Sequence, residues 1–291
     1  MEKYMLEEKI VHGSLAYPFA VYKIESELPE HVQLHWHKET EIIYLKEGSF
    51  DFTINTKVFH EEAPALIFVS SQELHSIIME KKHSLASIVF DLNMLSFENY
   101  DGIQYKIIQP LLKGKTSFPR IIKNDVENWG EISGLFEMMM DEARKRDLCS
   151  YLRVKARLYE ILAFLYQDGY LKEVGEVNEK DTFRIDGLKR VLSYIQEHFN
   201  EKMSLEEIAS VAGMNEQYLC RYFKKHVGKT ITEYINDVRI NHATQKLLQT
   251  DDKIIDIAIQ CGYENVGYFL KRFRKEKGLT PSAFRETQKS I

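Results

Sequence analysis

The chain has 291 residues, 44% hydrophobic and 29% charged, the proportions of an ordinary globular protein with room for two separately cored domains. Its net charge of −5 is uneven, −8 over residues 1–184 and +3 over 185–291, so bulk charge alone makes neither half a nucleic-acid binder, although 271–277 holds five basic residues beside one acid. No run of about eighteen apolar residues occurs, so no transmembrane helix and no membrane partner are expected, and Met1-Glu2-Lys3-Tyr4 leads into charged sequence rather than a signal core. Three cysteines (Cys149, Cys220, Cys261) lack zinc-site spacing and do not suit a disulfide framework, so a reducing, cytoplasmic setting is expected.

Up to about residue 92 the pattern is that of short strands, among them 41–45, 50–54, 65–69, 76–79 and 85–90, separated by turn-prone sequence such as Lys46-Glu47-Gly48-Ser49. Many short strands at hairpin spacing predict a small barrel or sandwich. Within it, His35-Trp36-His37-Lys38-Glu39-Thr40-Glu41, with Gly48 seven positions on, has a spacing similar to the first motif of cupin barrels. Alternation along one strand would send His35, His37 and Glu41 to one face and Trp36 to the other. Two imidazoles and a carboxylate suit Fe²⁺, Mn²⁺ or Zn²⁺, and His75 is a fourth candidate ligand. The resembling second motif is eroded, with Ser70 and Gln72 where Pro and Gly are usual and Met79 where Asn is. Three readings of these four residues stay open: a divalent metal site, polar contacts to a small effector, or histidines satisfied inside a structural barrel. Tyr44, Phe52, Phe68 and Phe90 would line an apolar pocket or form plain core.

From about Trp129 the apolar period turns helical, over 129–146 and again through Leu152, Leu158, Ile161, Leu162 and Leu165. These helices pack on the barrel or pair between subunits, and 1–171 reads as one domain. Residues 172–184 are charged and poor in core residues, which predicts a linker.

Residues 185–291 read as helices throughout, beginning with Leu188, Leu192, Ile195 and Phe199. Ser204 with Glu207 and Thr230 with Glu233 are capping boxes, and Thr280-Pro281 starts a last short helix. One pattern occurs twice. Ile208-Ala209, Gly213, Tyr218-Leu219, Arg221, Phe223-Lys224-Lys225, Gly228 and Thr230 return as Ile257-Ala258, Gly262, Tyr268-Phe269, Lys271, Phe273-Arg274-Lys275, Gly278 and Thr280. Each copy predicts a short helix, a glycine turn and a second helix capped by Asn215 or Asn265, that is, helix-turn-helix units near 204–228 and 253–278.

In such a unit the second helix enters the major groove. Leu219 and Phe223, like Phe269 and Phe273, would face the core. That exposes Gln217, Cys220 and Arg221 in one unit and Val266, Gly267, Leu270 and Lys271 in the other to base edges. Arg221 is the strongest reader, because a guanidinium bonds guanine O6 and N7 together. Lys224, Lys225, Arg274 and Lys275 would hold phosphates. The helix expected over 231–249 is roughly 28 Å long and would hold two readers about one DNA turn, near 34 Å, apart.

On these residues, with Arg239-Ile240, Ala243, Leu247-Leu248 and Gly262-Tyr263, the last third of the chain resembles the DNA-binding domain of the AraC/XylS transcription regulators. The resemblance implies an α+β protein of two domains. An N-terminal cupin-like β-barrel with trailing helices precedes an all-α domain of seven helices, in which a long helix joins two helix-turn-helix units. It further implies binding to double-stranded DNA, action on RNA polymerase, usually as an activator, control by an effector that is commonly a sugar or sugar derivative, and a homodimer. The second reader departs from the common pattern, since Val266, Gly267 and Leu270 stand where polar residues are usual. It therefore reads as an anchor beside a base-reading first unit. The rival from another class is a metal-dependent cupin enzyme, an isomerase or dioxygenase with a helical appendage. The eroded second motif counts against it, and no nucleophile elbow or phosphate-binding glycine loop occurs. A module acting by protein contact alone leaves the doubled basic helices without a purpose.

Overall fold

The computed structural model describes residues 12–14, 16–55, 57–175 and 179–289. They form two compact units, divided between residues 178 and 179, each with its own core. In the first, β1 (Phe19–Ser26), β8 (His83–Phe90), β3 (Thr40–Glu47), β6 (Ala65–Val69) and β10 (Ile121–Lys123) lie side by side in that order. The second sheet runs β2 (Glu30–His35), β7 (His75–Met79), β4 (Ser49–Ile54), β5 (Lys57–Glu62). All these pairings are antiparallel.

Alternation along the strands makes two cores on the two faces of the first sheet. Ile43, Leu45, Ile67 and Val69 point inward and meet Phe50, Phe52, Ile54, Ile77 and Met79 of the second sheet. Their neighbours Ile42, Leu66, Phe68 and Phe90 point the other way, with Tyr44 at the margin, into a layer of helices. Beyond a short helix α1 (Gln109–Leu112), that layer is α2 (Trp129–Ala143), through Ile132, Phe136 and Met139, and α3 (Leu148–Gln167), through Val154, Leu158, Ile161 and Leu165. The four aromatics considered as a pocket lining are thus divided: Phe52 is inside the barrel, and Tyr44, Phe68 and Phe90 pack under helices. An Asp147/Ser150 capping box starts α3, so the helix expected over 129–146 stops sooner, at Ala143.

The linker expected over 172–184 is shorter in the structure. β11 (Lys172–Glu173) pairs with β9 (Thr116–Ser117), and 179–184 are already helical. Residues 176–178 lie outside the described residues.

The second unit holds seven helices among the described residues. These are α4 (Glu179–Glu197), α5 (Leu205–Ala212), α6 (Glu216–Val227), α7 (Ile231–Gln249), α8 (Ile254–Gln260), α9 (Val266–Lys277) and α10 (Pro281–Lys289). The Ser204/Glu207 and Thr230/Glu233 boxes are both formed, and Asn215 and Asn265 each accept a hydrogen bond from the backbone N–H three residues on. The C-terminal half of α7 gives Ile240, Ala243 and Leu247 to a core with Ile257, Ala258, Phe269 and Phe273. That burial fixes the second helix-turn-helix on α7.

Candidate nucleic-acid interface and barrel histidine cluster

α5 ends at Gly213, in the left-handed region at φ +68, and α6 follows after Met214 and the cap Asn215. α8 ends at Cys261, Gly262 takes φ +80, and one extra residue precedes the cap Asn265. This is where the sequence offset between the copies grows from 49 to 50. Leu219, Phe223, Phe269 and Phe273 are all fully buried. Anchored on those residues, α6 turns Gln217, Cys220, Arg221, Lys224 and Lys225 to the surface. α9 does the same with Gly267, Leu270, Lys271, Arg274 and Lys275. Val266 is the exception: it is half-buried against the second core, so its side chain belongs to packing rather than to the reading face. Tyr268, 47% exposed, takes its place beside Leu270, and the sequence reading passed over it as a motif aromatic.

Further along α9 the basic run is also divided. Lys271, Arg274 and Lys275 are exposed, whereas Arg272 and Lys277 are partly buried and turned toward α7. Three cations rather than five face outward. The thiols differ too: Cys220 is exposed on the reader, while burial pushes the Cys261 thiol up to about 11.

In the first unit His35, His37 and His75 come together, each offering a ring nitrogen within 4.8 Å of the others. The expected residues meet, but not by alternation along one strand. β2 ends at His35, His37 lies in the connection that follows, Glu41 belongs to β3 and His75 opens β7 opposite His35. Each ring donates its Nδ1–H to a backbone carbonyl: His35 to Gln33 at 2.8 Å, His37 to Glu39 at 3.1 Å and His75 to Glu73 at 2.8 Å. A carbonyl cannot donate, so in each ring Nδ1 carries a proton, and Nε2 is the nitrogen left to face the other groups of the cluster. Glu41 Oε2 then lies 3.6 Å from Nε2 of His37 and 3.3 Å from Nε2 of His75. Burial by itself raises the Glu41 carboxyl, but the contacts with His37 and His75 outweigh it and hold the group well below the usual carboxylate range.

The loop carrying His75 is braced by Glu73, which takes a bidentate pair from Arg120 at 2.6 and 2.7 Å and bonds from Asn55 and the Ser70 N–H. His12 was missed by the sequence reading. It is buried 4.9 Å from the His37 ring and bonds the Tyr22 hydroxyl, and no spacing rule connects it to so distant a motif.

A barrel with a buried polar cluster and a helical unit with two outward basic helices define a two-part DNA-binding transcription regulator. Known proteins agree on both halves. Residues 18–162 match the AraC-like ligand binding domain, and 208–287 match a helix-turn-helix domain. The chain belongs to the AraC-type transcriptional regulators. It is 24% identical, over 97% of its own length and 96% of the relative's, to YdeC of Bacillus subtilis, an uncharacterized regulator of the helix-turn-helix type. It is 40% identical over 34% of its length to AdaA of the same organism, a bifunctional transcriptional activator and DNA repair enzyme, of which it spans about half (47%). A solved AraC-type DNA-binding regulator from Chromobacterium violaceum is 28% identical over 35% of this chain and 92% of that one, with a TM-score of 0.34. No helix among the described residues is long and apolar enough to cross a membrane.

Proposed function

We propose that the chain is a cytoplasmic, non-enzymatic activator that reads two successive major-groove segments and recruits RNA polymerase in response to an effector held by the barrel. The observation that carries it is the matched exposure of Gln217, Cys220 and Arg221 on α6 and of Leu270, Lys271, Arg274 and Lys275 on α9, above buried anchors at equal spacing. An effector acts here only by binding two states of the protein with different affinity. A sugar or sugar derivative suits the polar cluster of His35, His37, Glu41 and His75, and the exposed Leu148 and Leu152 of α3 suit pairing of two copies. Fluorescence anisotropy on duplexes from the region upstream of the coding sequence tests the DNA reading. Four phosphate contacts, from Lys224, Lys225, Arg274 and Lys275, predict that log K falls with log salt with a slope of roughly −4. Weak binding that ignores salt overturns it.

A second reading concerns the barrel. With each ring fixed through Nδ1, Nε2 of His37 and of His75 faces Glu41 Oε2 at 3.6 and 3.3 Å, an approach that attracts only through a proton or a cation between the two atoms. The donor set fits Fe²⁺, Mn²⁺ or Zn²⁺, with His35, His37, His75 and Glu41 as ligands and the backbone carbonyls as their outer support. Bound there, the ion would supply a Lewis-acid contact for an effector oxygen. Purification without chelator should yield about one metal per chain. At a hundred times its Kd the ion adds about 2.7 kcal/mol and raises Tm by about 5–10 °C, an increment absent in His37→Ala. Sub-stoichiometric metal, the same in His37→Ala, overturns this reading and leaves the DNA reading intact.

A further inference from the structure

The side chain of Asp237, on α7, meets both helix-turn-helix units. Its Oδ2 accepts from Lys229 Nζ at 2.6 Å, in the turn that closes the first unit, and its Oδ1 lies 3.6 Å from Arg272 Nη2, in the middle of α9. Neither Asp237 nor Arg272 is a surface group, with side chains 18% and 14% exposed. One turn further along the same face of α7, Asn241 accepts from Lys277 Nζ at 3.2 Å, at the end of α9. Beside Asp237, the backbone carbonyl of Asn236 accepts from the hydroxyl of Tyr263, in the turn before α9, at 3.3 Å. Phe269 and Phe273 hold α9 down on the core, but apolar packing is non-directional and tolerates rotation of a helix about its contact. Polar pairs spaced along α9 fix its direction. Of the pairs named, that of Asp237 also reaches the first unit.

We propose that Asp237 is a positioning residue that sets the distance and angle between the two readers, so that the chain accepts two DNA segments at one spacing only. The proposal rests on the DNA reading above. With Asn at this position Arg272 keeps its Glu276 pair, 3.5 Å away on its own helix, and Lys229 loses the Asp237 carboxylate. α9 is then held on the core without its ionic tie to the first unit.

The test uses the full chain and a duplex that it selects from a randomised pool, with one base pair then inserted between the two contacted segments. For the wild type the insertion is expected to weaken binding about tenfold or more, because a fixed pair of readers cannot follow it. For Asp237→Asn, binding to the selected duplex should fall about tenfold while the insertion penalty shrinks to about threefold or less. Asp237→Glu should restore most of both values. A loss of stability alone lowers binding to all duplexes by one factor and leaves the ratio between them unchanged. An insertion penalty in Asp237→Asn equal to that of the wild type overturns the proposal. If Asp237→Asn fails to fold, Arg272→Gln and Lys229→Gln are read by the same ratio. Failure of the wild type to select any duplex would instead overturn the DNA reading itself.

Discussion

Gly262→Ala is expected to destabilise the helical unit by about 2–5 kcal/mol, and Gly213→Ala, at the matching place in the first copy, by about 1–2 kcal/mol. Both glycines have left-handed backbones, at φ +80 and +68, so alanine at either position incurs the steric cost of that region. The surroundings then separate them. A Cβ on Gly262 would lie 2.9 Å from the Cα, C and O of Asn200, backbone atoms in the connection between α4 and α5. Nothing there yields without moving a helix end. A Cβ on Gly213 would meet side chains alone, the tip of the Phe183 ring at 3.0 Å and Arg190 Nη2 at 3.9 Å, and the Phe183 ring is half exposed and can swing away. Thermal unfolding followed by circular dichroism should show the helical transition lowered by about 10–20 °C in Gly262→Ala and about 5–10 °C in Gly213→Ala. Equal shifts would mean that the 199–201 connection gives way as readily as a phenyl ring.

That contrast marks how far the sequence could be read. The doubled unit was legible because its determinants are local: a cap, a left-handed glycine and a buried pair at i and i+4 each leave a mark within a few residues. Two sequence-identical glycines nevertheless differ through Asn200 and Phe183, contacts that only folding creates. The same holds within 271–277, where charge was visible but direction was not. Arg272 and Lys277 turn inward because α7 presents Asp237 and Asn241 to them.

In the barrel the ligating residue types were recognisable while their placement was not. His35, His37 and Glu41 converge across a break between β2 and β3, where strict alternation along one strand no longer applies. Parity did carry information that the sequence reading left unused. Tyr44 sits one residue out of step with Ile43 and Leu45, which places it on the helix side of the sheet and away from any barrel pocket. The early start of α4 had no such signal, because 179–184 is charged and solvent-facing charge looks the same in a linker as on a helix.

Arg221→Ala is expected to weaken binding to the selected duplex by about 1–3 kcal/mol, roughly 5- to 150-fold, and to relax the preference at one base pair. The side chain is exposed in the second turn after the Asn215 cap, among Gln217, Cys220 and Lys224, where a helix in the major groove reaches base edges. Lys224→Ala, further along the same face, should instead weaken all duplexes alike and reduce the salt slope by about one. Lys271 occupies the Arg221 position of the second copy, but its neighbours there are Gly267 and Leu270, and Val266 is withdrawn into the core. A lysine is a point charge without the fixed two-donor edge of a guanidinium, so Lys271→Ala should cost less selectivity than Arg221→Ala. Competition between duplexes mutated one base pair at a time would separate the two helices. Base changes under α6 should matter more than those under α9, and equal or reversed losses would show that the second copy reads sequence as closely as the first.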